Sequence, residues 1–297
     1  MKLIMEMFNG FCMALADSVP GVSGGTIAFI LGFYDNFIES LNNIVSKEKE
    51  KRKTALTFLI KLGIGWVIGM ILAALVLTSL FEKEIYKISS LFIGFIIFAI
   101  PLIIKEEKKS LKGKYQNIIF LILGIILVSL ITYFNPVGAS TKDVNITNLN
   151  LGMAIYIFIC AMVAISAMVL PGISGSTLLL IFGLYIPIMT AVKEIIHLNF
   201  NYLLPIIIFG LGVITGIILI IRFIKIALEK YRSHTIYMIL GLMIGSIYAI
   251  IMGPTTLDIP KEPMNLENFN IIFFIVGGIV ILGLQKIKEN LEKKINE

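Results

Sequence analysis

The sequence predicts an all-α, polytopic integral membrane protein built as an inverted-topology repeat, each half a re-entrant (broken) helical hairpin followed by three transmembrane helices. Three observations carry that expectation. Of the 297 residues, 58% are hydrophobic and only 15% charged, against about 45–50% and 25% in soluble domains, which excludes a soluble enzyme. Uncharged apolar stretches recur at 62–81, 88–104, 115–134, 203–221, 235–253 and 270–285, and a bilayer core takes about 20 helical residues to cross. A long motif also occurs twice.

The first element is a hairpin over 3–41. Its start imitates a signal peptide, with Lys2, an apolar run and the small residues Ala14-Leu15-Ala16. Glu6 and Asn9-Gly10 interrupt that run, and the residues that follow belong to the repeated motif, so the segment reads as structure. Its arms, Leu3 to Ala16 and Thr26 to Leu41, would rise roughly 21 and 24 Å, short of the bilayer core. Spans follow at about 55–81, 85–104 and 115–134 and complete a first repeat over 1–142. The second repeat, 143–297, holds a hairpin over 151–192 and spans at about 203–225, 235–253 and 268–285. Leu151 to Leu170 could span alone, so the re-entrant character of the second hairpin rests on the repeat.

The repeat is explicit in the residues. Pro20-Gly21-Val22-Ser23-Gly24-Gly25-Thr26 returns as Pro171-Gly172-Ile173-Ser174-Gly175-Ser176-Thr177, and the same offset of 151 carries Gly32-Phe33-Tyr34 onto Gly183-Leu184-Tyr185. Gly63-Ile64-Gly65 matches Gly210-Leu211-Gly212, and Gly94 matches Gly241, at an offset of 147. Asn117-Ile118-Ile119-Phe120 recurs as Asn270-Ile271-Ile272-Phe273, at 153. Small loop insertions account for the drift.

Loop charge sets the topology. If each hairpin makes an even number of crossings, the loops 42–54, 105–116 and 222–234 and the tail 286–297 share one side with the N-terminus, and, setting aside Lys61 inside a helix, that side holds 19 basic residues against five. If each pair were one kinked span, the division would be nearly even and no positive-inside bias would remain. The even count therefore wins, with both termini cytoplasmic. Three further spans per half then turn the second half over in the membrane.

Each Pro-Gly turn stops one helical arm, because proline lacks an N–H and glycine accepts turn dihedrals. Ser23 or Thr26 can cap the next arm. Amides, hydroxyls and the positive end of a helix dipole then converge on ground that suits a phosphate or carboxylate. Ser23, Gly24, Gly25, Thr26, Ser174, Gly175, Ser176 and Thr177 are the candidate phosphate-binding residues. The alternative at this point is a glycine-rich break that only lets helices pack closely.

Ala16-Asp17-Ser18-Val19-Pro20-Gly21-Val22-Ser23-Gly24-Gly25-Thr26, followed by Gly32-Phe33-Tyr34, closely resembles the signature of the polyprenyl-phosphate (undecaprenyl phosphate) translocase family of the PopT type. Leu170-Pro171-Gly172-Ile173-Ser174-Gly175-Ser176, followed by Gly183-Leu184-Tyr185, looks like that family's second motif. The resemblance covers nearly the whole chain. It implies a transporter in the cell membrane that returns undecaprenyl phosphate, or a similar isoprenoid carrier, from the outer to the cytoplasmic leaflet.

Among ionisable residues within the apolar segments, Asp17 is the candidate for a coupling carboxylate, with Met168 at the equivalent position of the second half. A proton or sodium gradient is the candidate driving force, and no cofactor is expected. Lys61 sits about 9 Å into its helix, deep enough to meet a phosphate yet able to snorkel. Arg222 ends its span and offers a planar fork. Asp35 and Glu39 read as interfacial, and His197 and His234 lie at helix edges. Cys12 and Cys160 lie in apolar segments and suggest neither a disulfide nor a metal site.

Other function classes fit less well. Gly21-Val22-Ser23-Gly24 and Gly172-Ile173-Ser174-Gly175 resemble the nucleophile site of rhomboid intramembrane proteases, but a serine nucleophile needs a histidine base within reach, and neither histidine lies inside a span. No Lys follows the glycines, which excludes a Walker loop. The His or Cys chemistry of a lipid phosphatase is missing, so no catalytic residue is expected. An ion-coupled transporter of another small anion is the serious competitor, since an anion site fixes a headgroup charge and says nothing about a tail. Basic residues confined to short loops argue against nucleic acid as a partner. The expected partners are the lipid and the bilayer, and nothing in the sequence sets an oligomeric state.

Overall fold

A computed structural model describes residues 2–17, 23–72, 78–134, 146–147, 149–196, 198–256 and 260–296. Pro20, Gly21 and Val22 of the first motif, and His197, lie outside the described residues. The first half contributes α1 (Lys2–Asp17), α2 (Gly24–Ile30), α3 (Tyr34–Asn43), α4 (Lys49–Leu72), α5 (Thr78–Glu106), a single-turn α6 (Lys108–Leu111) and α7 (Ile118–Tyr133). The second contributes α8 (Leu151–Val169), α9 (Gly175–Ile181), α10 (Tyr185–Ile196), α11 (Leu203–Lys230), α12 (Arg232–Met252) and α13 (Ile271–Asn296). No strand occurs among the described residues.

Among the described residues, six stretches are long and apolar enough to cross a membrane: Lys49–Leu72, Lys83–Glu106, Tyr115–Tyr133, Leu151–Val169, Phe200–Lys230 and Arg232–Thr255. The apolar part of α13, Ile271–Lys286, is shorter. α8, expected as a hairpin arm, is long enough to cross alone, whereas α1 has 16 residues. α4 is described over Lys49–Leu72, and residues 78–81 fall in α5, which kinks at Glu84 (φ −122, ψ 29).

Glycine pairs decide which helices touch. Gly10 of α1 lies against the backbone of Leu62 and Trp66, while Gly65 and Gly69 of α4 lie against Met7 and Phe11. At the matching place in the second half, Gly212 and Gly216 of α11 lie against Phe158 and Met162 of α8. A side chain at any of these points would strike the partner's backbone, so the helices approach as small residues allow in membranes. The later spans exchange partners. Gly94 of α5 meets Gly277 and Phe274 of α13, and Gly241 of α12 meets Leu121 of α7, where Gly124 returns the contact to Met238. The second span of each half therefore packs on the third span of the other, and contact between α5 and α12 joins the two pairs.

The outside is apolar. α7 exposes Ile119, Leu123, Ile126 and Leu130 and buries Gly124, Val128 and Thr132, the reverse of a helix in water. Exposed Tyr115 and Tyr231 mark one end, and Tyr133 and Phe200 the other, like the aromatic belts of membrane proteins. Side-chain bonds fix the two ends. Gln285 Nε2 donates to Glu106 Oε1 at 3.3 Å, joining the last apolar turn of α13 to the end of α5. Opposite, Tyr86 donates to the Glu262 carbonyl at 3.0 Å, and the Asn270 amide donates to Ser90 Oγ at 2.9 Å.

Candidate functional site

The first turn is built around one carboxylate. α1 ends at Asp17, whose Oδ1 accepts the Gly24 amide at 2.6 Å while Oδ2 accepts Trp66 Nε1 of α4 at 3.0 Å. Asp17 thus ties the end of one arm to the first residue of the next and to the neighbouring span. Ser23 is the N-cap of α2, in extended conformation (φ −130, ψ 148), and its Oγ accepts the Thr26 amide at 3.3 Å.

The two turns touch. Thr26 Oγ1 lies 3.0 Å from Ser23 Oγ and accepts the Gly172 amide of the second turn at 2.7 Å. Ser23 Oγ donates to the Leu170 carbonyl at 3.4 Å, and Tyr34 donates to the Val169 carbonyl at 3.2 Å. The protons form a consistent chain: Gly172 N–H to Thr26, Thr26 to Ser23, Ser23 to Leu170. Gly172 has φ +90, and a Cβ there would meet the backbone of Leu242, so glycine is required twice over. Gly25 packs against the Val169 carbonyl, which closes the crossing of the turns.

A cavity of about 260 Å³ opens beside this crossing. Its polar end is Asp17, Ser23, Ser174, Gly175 and Ser176, with the Ser174 and Ser176 hydroxyls 2.8 Å apart. Its walls are apolar: Ala161, Ala164, Ile165 and Met168 of α8, and Phe209 and Val213 of α11. A compact polar group fits the floor, and a hydrocarbon fits the walls.

The structure thus brings Asp17, Ser23, Ser174, Gly175 and Ser176 to one cavity. The other candidates stand elsewhere. The Gly24 amide is taken by Asp17, Gly25 and Thr26 hold the turns together, and Thr177 is half-buried on α9 and does not line the cavity. Lys61 forms an ion pair with Glu6, 3.0 Å, across the α1–α4 contact. Arg222 is exposed on α11, outside the cavity. Sequence reasoning missed Trp66, the one tryptophan of the chain; a lone indole in an apolar span, next to Gly65 and three residues before Gly69, was the available signal, since a buried Trp N–H seeks an acceptor. Among the described residues no cluster of His, Cys, Asp and Glu could hold a metal ion.

Comparison with known proteins adds the family. A family model described as VCA0040-like, undecaprenyl phosphate translocase-like, matches residues 13–268. A protein of Staphylococcus aureus named polyprenyl-phosphate transporter is 35% identical over 289 residues, 95% of this chain and 96% of that one. A protein of Vibrio cholerae with the same name is 29% identical over 322 residues, 97% of this chain and 98% of that one. No solved structure matches. With both motifs inside the matched region and the match running over most of its length, the chain belongs to the undecaprenyl phosphate translocase-like family.

Proposed function

We propose that this multi-pass membrane protein is a transporter that returns a polyprenyl phosphate, undecaprenyl phosphate or a near relative, from the outer to the cytoplasmic leaflet, with the phosphate held between the two turns. The observation that carries the reading is the cavity in which Ser23 of one turn and Ser174 and Ser176 of the other share a polar floor beneath apolar walls. The Ser174 and Ser176 hydroxyls donate to phosphate oxygens, Ser23 joins them by releasing the Leu170 carbonyl, and the walls accept the first part of an isoprenoid tail, whose remainder stays in lipid. The names of the two relatives support the substrate. The duplicated motif and the exchange of partners between halves support an inverted repeat whose two hairpins dip from opposite faces. Both termini are cytoplasmic on this reading.

Asp17 supplies the coupling. A carboxylate on the cavity floor repels a phosphate while it is charged. It accepts the substrate once a proton or a sodium ion neutralises it or the Gly24 amide is surrendered to the phosphate. The exchange links headgroup binding to an ion gradient, and no step requires the protein to break a covalent bond.

Depletion tests the reading. The carrier lipid should then accumulate on the outer leaflet, where a reagent that binds exposed phosphate headgroups detects it. An unchanged leaflet distribution, together with uptake of a soluble phosphate by the purified protein in vesicles, would replace the lipid carrier with a small-anion transporter.

A further inference from the structure

Between the turns and the end of the molecule where α5 finishes stand two consecutive residues of α3. Tyr34 is 1% exposed, its hydroxyl is bonded to Val169 of the second turn, and its ring meets Phe29 edge-on with centroids 5.6 Å apart. On its far side it lines a second cavity, about 140 Å³, with Gly32, Asp35, Glu107 and Arg232. Tyr34 therefore stands between the second turn, which it reaches through Val169, and this second cavity. Asp35, its neighbour, places Oδ2 2.9 Å from Arg232 Nη1.

Arg232 opens α12 and is fixed by its other two nitrogens. Nε donates to Glu107 Oε2 at 3.0 Å, and Nη2 donates to Glu107 Oε1. The paired contact with Glu107 locks the guanidinium to the junction of α5 and α6. That leaves Nη1 as an arm directed at the first hairpin. The asymmetry is informative. At the repeat offsets, Arg232 corresponds to Ile85 and Asp35 to Ile186, so those positions at the opposite end carry no charge. Stability alone gives a thin account of the arrangement: the side chains of Arg232 and Asp35 are 39% and 52% exposed, and ion pairs that wet contribute little. The cavity beside them holds more carboxylates than cations, which disqualifies it as a resting place for phosphate.

We propose that Arg232 is a positioning residue of transport: through Asp35 it latches α3 so that Tyr34 stays seated between the turns and this end of the molecule, and release of that latch opens the headgroup's route to this side. The inference rests on the transport reading but not on the identity of the lipid.

The test uses the full chain with Cys12 and Cys160 replaced by alanine and a single cysteine at Ser176, in membrane vesicles of each orientation, treated with an impermeant thiol reagent. From the side where α5 ends, the cysteine should react slowly while the latch is intact. Asp35→Asn should raise that rate about fivefold, the reach of an ion pair this exposed, and Asp35→Glu should restore protection. Tyr34→Phe, which loses only the bond to Val169, should move it the same way by less. An unchanged rate in Asp35→Asn, or an equal rise from both sides, overturns the latch. Asp35 is half-exposed, so this variant folds even if Arg232→Ala does not. The labelling needs no lipid, so it stays readable if the polyprenyl-phosphate reading fails.

Discussion

The two turns share one motif and do different things. In the first, Asp17 holds the Gly24 amide and the indole of Trp66. In the second, the equivalent residue is Met168, which lines the same cavity with a thioether, and Ser176 stands where the first turn has Gly25. Duplication has preserved the backbone break while the chemistry has divided: the charge is on one side and the extra hydroxyl on the other. Thr26 repeats the lesson. It bonds across to Gly172, whereas Thr177, its counterpart, sits off the cavity.

The largest effect that would sharpen this comparison comes from removing the hydroxyls the turns share. Ser23→Ala with Ser174→Ala should lower transport by at least about a hundredfold, since a hydrogen bond to a charged group is worth about 1.5–3 kcal/mol. Leu123→Ala, on the lipid-facing side of α7, is the expression-matched control in the same vesicle assay. Equal rates in the two variants would reduce the turns to a packing device.

Next comes the second turn's dependence on glycine. Gly172→Ala combines a left-handed backbone with an encounter with Leu242, and should cost about 2–4 kcal/mol, seen as lost thermal stability in detergent. Gly63→Ala, with no neighbouring atom within 4 Å, should be close to neutral. A tolerant Gly172 would mean that the contact between the turns is dispensable.

Asp17→Asn probes the charge that only the first turn carries. Asparagine keeps the shape but cannot titrate, so net transport under an ion gradient should fall about tenfold and should no longer respond when the gradient collapses. Full gradient-driven activity in this variant would retain the lipid substrate and remove Asp17 from coupling. The smallest change is Trp66→Phe, which deletes one donor to the carboxylate. It should cost about 1 kcal/mol of stability, and it should cost nothing further when combined with Asp17→Met, a pairing that thermal melts can resolve.

Much of this architecture was legible from residue spacing. The apolar stretches located most spans. The glycines matched at an offset of 147 proved to be equivalent contacts, with Gly65 on Met7 mirrored by Gly212 on Phe158, and Gly94 and Gly241 each facing a third span. Helix faces were harder to read. In a membrane both sides of a span are apolar, so periodicity loses the contrast it has in water. Only small residues then betray a contact, and they do not name the partner. At the site, motif and neighbours singled out Ser23, Ser174 and Ser176, which line one cavity. The Asp17 bond to Gly24 spans seven residues through a turn, and the Trp66 bond spans 49, separations that no local pattern encodes. Arg232 likewise meets Glu107 across 125 residues, and as one more charge in a basic loop it looked like a topology signal.

The exchange of partners between the later spans bears on how the chain is made. When the first half has left the ribosome, α5 still shows the bare groove at Gly94, and α7 the one at Gly124, because the helices that fill them are encoded after residue 231. Neither half can finish on its own. Biosynthesis must hold an incomplete bundle in lipid until α12 arrives for α7 and α13 arrives for α5. A ribosome that stalls before residue 232 would therefore release a product in which neither pair has formed, a substrate for membrane quality control even though both turns have been translated.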